Sequence, residues 1–276
     1  MDALTRRPQP ARDGVRWVDG ALDQPGALDR LLERADALIH VAGVVKARDA
    51  AGFRAGNAAG TAAVLDAAAR AGVRRMVHVS SLAAREPELS DYGRSKCDAE
   101  REVRLSGLDW TIVRPPAVYG PGDTEMLDVF RMAGRGVVLM PPRGWASVIH
   151  VDDLADLLLA LPHKDEAVGR AFEPDDGEPG GWTHASLATA IGWAVGRRVS
   201  VLHTPARALA LAARADRFVR RGGAKLTPDR AGYLTHPDWV SAPDAAVPPD
   251  WWRPLVPTRR GLKETARWYR EHGWLA

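Results

Sequence analysis

Residues 75–96 read RMVHVSSLAAREPELSDYGRSK, and the two ends of this stretch decide the fold. Arg75 to Ser80 is a short apolar run that predicts a buried strand stopping at Ser80-Ser81. Asp91 to Leu105 predicts a helix, on which Tyr92 and Lys96 lie four residues apart and therefore on one face. An ammonium beside a tyrosine favours phenolate over phenol and lowers the phenol pKa. Such a tyrosine can pass a proton to or from a substrate oxygen. Ligands of open α/β sheets sit at the carboxyl ends of the strands, where Ser80 and Ser81 stand. Each piece alone is weak, because Tyr-x-x-x-Lys arises by chance and a serine pair can simply end a strand. Their order on consecutive elements gives them meaning.

The neighbouring sequence repeats this alternation. Gly14–Val18, Ala37–Ala42 and Asp109–Val113 read as strands; Asp23–Arg34 and Asn57–Ala71 read as helices, the latter stopped by Gly72. Strands and helices alternating at this spacing imply βαβ units and a parallel sheet. After about Pro162 the alternation loosens. Thr183–Gly196, Pro205–Arg221 and Thr258–His272 read as helices, with a Pro- and Trp-rich stretch over Pro243–Pro257. The expected organisation is a parallel-sheet α/β domain over 1–161 and a smaller, mostly helical, substrate-facing lobe over 162–276. In Pro205–Arg221, Leu209, Leu211 and Phe218 are expected to be buried, with a membrane-surface helix as the rival reading. Trp239, Trp251, Trp252, Trp268 and Trp274 are expected in the core rather than in a sugar-stacking platform.

Composition bounds the function. The chain has 276 residues, 46% hydrophobic and 26% charged, with a net charge of +3. Arg217, Arg220 and Arg221 cluster, but no long basic run points to nucleic acid. The single cysteine, Cys97, excludes an intrachain disulfide and fits a reducing cytoplasm. No apolar run is long enough to span a membrane, and no His/Cys spacing calls for a metal.

Further stretches carry a resemblance: His40-Val-Ala42-Gly43, Asn57-Ala-Ala-Gly60-Thr61, Arg114-Pro115-Pro116-Ala-Val118-Tyr119-Gly120-Pro121-Gly122-Asp123 and Ile149-His150-Val151-Asp152-Asp153-Leu154-Ala155. Together with Ser80-Ser81 and Tyr92-x-x-x-Lys96, in this order, they resemble the extended short-chain dehydrogenase/reductases. This is the NAD-dependent epimerase/dehydratase group, close to its 3β-hydroxysteroid dehydrogenase-like members. The resemblance implies a Rossmann-like doubly wound parallel sheet and NAD or NADP as cofactor. It assigns proton transfer to Tyr92, tuning of Tyr92 and a grip on the nicotinamide ribose to Lys96, and orientation of the substrate oxygen to Ser81. Ser80, His40, Ala42, Gly43, Pro115 and Val118 would line the cofactor. Asn57 would support the sheet rather than touch substrate, and His150–Asp153 reads as a helix start with acidic residues in its first turn.

The family's first strand and Gly-x-x-Gly-x-x-Gly turn, which place backbone N–H groups against the pyrophosphate, have no counterpart here. Met1–Arg7 reads as the end of the family's second strand, where the resemblance would set Arg6 and Arg7 against the 2′-phosphate of NADP, with two solvated arginines as the equal alternative. Ala21 sits where the family's acidic residue is usual. Without the first strand, either the remnant strands pair directly or the natural protein starts further upstream; the second is expected. The expected activity is hydride transfer at a secondary alcohol or ketone. Sugar-nucleotide epimerisation or dehydration, a non-catalytic NAD(P)-binding scaffold and an inactive fragment are the rivals. The partner is a small molecule, and the oligomeric state stays open, a homodimer included.

Overall fold

The structure is a computed structural model, described over residues 1–220 and 226–275. The chain divides into two compact units, Met1–Val113 with Leu158–Ala171, and Arg114–Leu157 with Phe172–Ala276. The boundary expected at 161/162 falls inside the segment that returns to the first unit, and the second unit is not the smaller of the two.

In the first unit, β1 (Asp2–Thr5) pairs in parallel with β2 (Arg16–Asp19). Helix α1 (Pro25–Leu32) follows, with proline in its first turn, where the missing N–H costs nothing. Strand β3 (Ala37–His40) pairs in parallel with β4 (Arg75–Val79), and β4 with β5 (Asp109–Val113). The returning segment adds β10 (Arg170–Phe172), giving the order β10-β5-β4-β3. Between β3 and β4 the chain is helical from Ala50: α2 (Ala50–Phe53), a π-helical turn (Arg54–Ala59) and α3 (Gly60–Ala71). The helix expected from Asn57 therefore begins seven residues earlier, capped by Asp49, whose carboxylate accepts from the Gly52 N–H. It stops at Gly72, whose φ of 72° suits glycine. Helix α4 (Asp91–Leu105) and β5 match their expected spans.

One apolar core holds this unit together. Leu28 and Leu32 of α1 meet Val64, Leu65 and Ala68 of α3, with Leu38 of β3, Met76 of β4 and Ile112 of β5 beneath. Full burial of each leucine or isoleucine is worth about 1.5–3 kcal/mol. Strand β1 is bonded to β2 and β3 to β4, and among the described residues no hydrogen bond joins the two ladders. The remnant strands thus do not pair with each other.

The second unit has its own core of Tyr119, Phe130, Val138, Ile191, Leu262 and Tyr269. Here β6 (Ala117–Tyr119) pairs with β9 (Val148–His150) in parallel, and β7 (Val137–Met140) with β12 (Ser200–His203). Two-residue strands β8 (Trp145–Ala146), β11 (Trp182–Thr183) and β13 (Asp238–Trp239) form a third small sheet. Helices α5 (Leu127–Gly134), α7 (His184–Val195) and α10 (Thr258–Glu271) pack around the core. Thr183 caps α7 as expected, accepting from the Ser186 N–H at 2.9 Å. Of the five tryptophans placed in the core, Trp239 is buried and the other four are partly buried.

Helix α8 (Ala206–Arg220) packs on α9 (Pro228–Leu234) and departs from expectation. Ala213 is fully buried and Leu209 half-buried, but Leu211 is 68% and Phe218 86% exposed. The reason is helical phase: Leu211 and Phe218 lie seven residues apart on one face, roughly opposite Ala213. Arg221 lies outside the described residues.

Candidate active site in the first unit

The carboxyl ends of β3 and β4 meet the first turns of α4. Ser90 caps α4 by accepting the Gly93 N–H at 2.9 Å. Gly93 has no Cβ to spare: one would stand 2.6 Å from the Ala83 carbonyl oxygen, so only glycine lets α4 seat this closely on the preceding 3₁₀ turn (Leu82–Arg85). Close seating puts Lys96 beside the end of β4.

Lys96 is 5% exposed, and its ammonium donates to the Val79 carbonyl at 2.7 Å, where β4 ends. Burial lowers its pKa to about 8, and the nearby Glu100 carboxylate partly restores it. Glu100, also buried, accepts the Ser80 hydroxyl at 2.6 Å and pairs with Arg104 at 3.3 Å. Ser80 is therefore committed to Glu100, while its backbone N–H donates to Val113 of β5 at 2.7 Å. Ser81 caps the 3₁₀ turn by accepting the Ala83 N–H at 3.2 Å, which leaves its own hydroxyl proton to donate. Tyr92 is half-buried, its ring tilted against Phe53 with centroids 6.0 Å apart.

Asn57 ties the loop after β3 to this helix. Its amide oxygen accepts the Val44 N–H at 2.8 Å, and its NH₂ donates to the Val44 carbonyl and the Ser95 hydroxyl. Ser95 in turn donates to the Tyr92 carbonyl at 2.7 Å. Asn57 lies in the π-helical turn, whose extra residue aims the amide at both neighbours. A Cβ on Gly43 would stand 2.7 Å from the Asn57 amide oxygen and 3.9 Å from the Lys96 ammonium. The loop backbone is thereby kept bare beside the lysine.

His40 and His78 lie side by side on β3 and β4, ring centroids 5.4 Å apart and both buried. His40 bonds the Thr61 hydroxyl at 3.0 Å. Burial, then the Lys96 charge, lowers its pKa to about 4. His78, with no partner for either ring nitrogen, is pushed down by the same causes and by His40. Both rings are neutral at physiological pH.

Of the expected residues, the structure gathers His40, Gly43, Ser80 and Lys96 into one network, with Ser81 and Tyr92 on its flanks. Ala42 and Gly43 are exposed at the loop after β3. Arg6 is exposed beyond β1 and makes none of these contacts. Pro115 is buried and Val118 partly buried, both in the second unit. His150–Asp153 does lead into a helix, α6 (Val151–Ala160), but the buried Asp153 carboxylate also accepts the Leu255 and Val256 N–H groups. Glu100, Ser90 and Ser95 were not singled out from sequence. Glu100 left a signal, one turn beyond Lys96 on the same face, and Ser90 left another as a serine directly ahead of a helix. A surface hollow lined by Asp36, Arg74, Arg75 and Asp109 opens at the amino ends of the same strands and contains none of these groups. The carboxyl-end rule favours the Lys96 network over it. Among the described residues no acidic, His or Cys cluster suits a metal ion.

A family model described as NAD(P)H-binding matches residues 1–164. The chain belongs to this NAD(P)H-binding family, within the extended short-chain dehydrogenases/reductases, and is an enzyme. It is 38% identical to the ceramide reductase of Caulobacter vibrioides, over 95% of this chain and 82% of that one. It is 28% identical to a 3β-hydroxysteroid dehydrogenase/Δ5-Δ4 isomerase of Caenorhabditis elegans, over 68% of this chain and 49% of that one. Among solved structures, MoeE5 in complex with UDP-glucuronic acid and NAD has the same fold, with a TM-score of 0.72 and 20% identity over 98% of this chain and 91% of that one. The cofactor is NAD or NADP. Lys96 spends one N–H on Val79 and keeps two to donate, beside a loop that Gly43 keeps free of side chain, so a hydroxyl-bearing part of such a cofactor could be held there.

Proposed function

We propose that this enzyme reduces the ketone of a ceramide-type lipid to a secondary alcohol, with Tyr92 as the proton donor. The observation that carries the reaction type is the buried Lys96 ammonium, fixed on the Val79 carbonyl one helical turn beyond Tyr92. The substrate class rests on the likeness to the ceramide reductase, which spans nearly the whole chain. When bound, the reduced dinucleotide supplies the hydride.

The chain's own residues do the rest. Ser81 keeps its proton and donates a hydrogen bond to the ketone oxygen, holding it beside Tyr92. Tyr92 delivers its phenolic proton to that oxygen as negative charge develops there. Lys96 stabilises the resulting phenolate and binds the ribose hydroxyls. Glu100, held by Ser80 and Arg104, keeps Lys96 protonated despite its burial. The reaction is placed in the cytoplasm, where Cys97 stays reduced.

The test is oxidation of NADPH or NADH by the purified protein, with a long-chain keto amide as acceptor and a UDP-sugar as the control substrate. Keto amide-dependent oxidation that falls about 10²–10⁴-fold in Tyr92→Phe is expected. Dinucleotide binding without turnover of either substrate would leave a non-catalytic binding protein instead. Conversion of the UDP-sugar alone would make the enzyme an epimerase or dehydratase.

A further inference from the structure

We propose that the outward face of α8 docks the protein on an anionic lipid bilayer. The inference rests on this surface and not on the substrate reading. In a helix that serves only to cover a core, the largest apolar side chains point inward. Helix α8 does the reverse: it buries Ala213 and presents Leu211 and Phe218 to solvent. Two exposed arginines accompany them, Arg207 four residues before Leu211 and Arg214 four residues before Phe218. Each arginine thus lies one turn from its apolar neighbour on the same face. Neither makes an ion pair among the described residues. Among the described residues around them, Ala208, Ala212 and Ala215 are also exposed and small.

Two strands of the same unit expose apolar side chains too. Val137 and Leu139 of β7 and Leu202 of β12 are exposed, with Leu139 and Leu202 facing each other in register. Helix α8 starts three residues after β12, in the same unit.

Charge selects the occupant. A symmetric contact between two copies of α8 would bring Arg207 and Arg214 against their equivalents, with no acid on that face to neutralise them. The one acid of the helix, Asp216, turns back to accept the Leu226 N–H. A bilayer bearing anionic headgroups supplies the missing negative charge and an apolar layer beneath it. Leu211 and Phe218 can enter that layer while the arginines stay at headgroup level.

The experiment is vesicle co-sedimentation of the full chain, using phosphatidylcholine vesicles with and without phosphatidylglycerol and no substrate or dinucleotide. Binding to the phosphatidylglycerol vesicles that weakens with salt is expected. Leu211→Glu with Phe218→Glu should lower it about tenfold or more. Arg207→Gln with Arg214→Gln should abolish the preference for anionic vesicles. Both targets are surface positions, and far-UV circular dichroism verifies that the variants fold. Absence of wild-type binding at low salt, or equal binding by the glutamate variant, overturns the proposal. So does a dimer in size-exclusion chromatography that the glutamate variant splits without any vesicle binding, which would make the face a contact between copies. Ketone turnover is not read, so failure here and failure of the reductase reading are separate results.

Discussion

Glu100 accepts the Ser80 hydroxyl at 2.6 Å and stands one helical turn beyond Lys96. Its charge opposes the effect of burial on the lysine. Glu100→Gln removes that charge, so the Lys96 pKa should fall below about 8. The alkaline limb of the pH–rate profile is expected to move down by about one pH unit, with the Michaelis constant for the ketone little changed. A merely structural role for Glu100 would lower stability and leave the limb in place.

Lys96 itself should show opposed effects on activity and stability. Its pKa is about 8 in the fold against 10.5 free. The folded state therefore binds fewer protons between these values, and stability rises with pH across that window. Below pH 8 the buried charge is a cost. Lys96→Met should abolish turnover while raising unfolding free energy at pH 7 by up to about 3 kcal/mol. Urea denaturation beside the activity assay reads both. A methionine variant less stable than wild type would show that the bond to Val79 outweighs the buried charge.

Acid should unfold the first unit through its histidines. The His40 pKa is about 4 in the fold and 6.5 free, and His78 is shifted the same way. Stability is full above pH 6.5 and falls as pH drops toward 4. His40 alone accounts for a loss of about 3 kcal/mol over that range. His40→Asn should flatten the acid limb of a denaturation series measured between pH 7 and 4.

Asn57 makes three hydrogen bonds, two to Val44 and one to Ser95, so Asn57→Ala should cost about 2–3 kcal/mol. It should also weaken dinucleotide binding, because the loop carrying Gly43 loses its tie to α4. Gly43→Ala forces a methyl to within 2.7 Å of the Asn57 amide oxygen. Nicotinamide fluorescence titration should show weaker binding there too. Unchanged affinity in both variants would remove this loop from the cofactor site.

The parts of the fold legible in sequence are those governed by local pattern. Helix α4 and strand β5 came out at their expected ends because Ser90 caps the one and Arg114-Pro115-Pro116 ends the other. The parallel sheet followed from alternation over residues 37–113. The helix ahead of Asn57 was missed because Gly52 and Gly56 weaken its apparent propensity, and a π-helical turn has no compositional mark. Residues 162–276 read as mostly helical because β11 and β13 are two residues each and exist only through distant pairing. Tyr92, Lys96 and Ser81 were visible as a spaced motif. Glu100 and Ser95 needed coordinates, since their roles are set by what faces them across the fold. Leu211 and Phe218 were misplaced because composition marks a helix as amphipathic without saying which side meets a neighbour.

The two separate ladders of the first unit have a consequence for how it opens. Strands β1 and β2 reach the rest through the contacts of α1 with α3, apolar but for the exposed Arg70–Asp29 ion pair, without a shared row of backbone hydrogen bonds. Greasy contacts slide and part more readily than a ladder unzips. The β1–β2–α1 segment can therefore detach as one cooperative piece while β3, β4 and β5 keep Lys96 and its partners in place. Amide hydrogen exchange would find a soft flank beside a protected catalytic sheet.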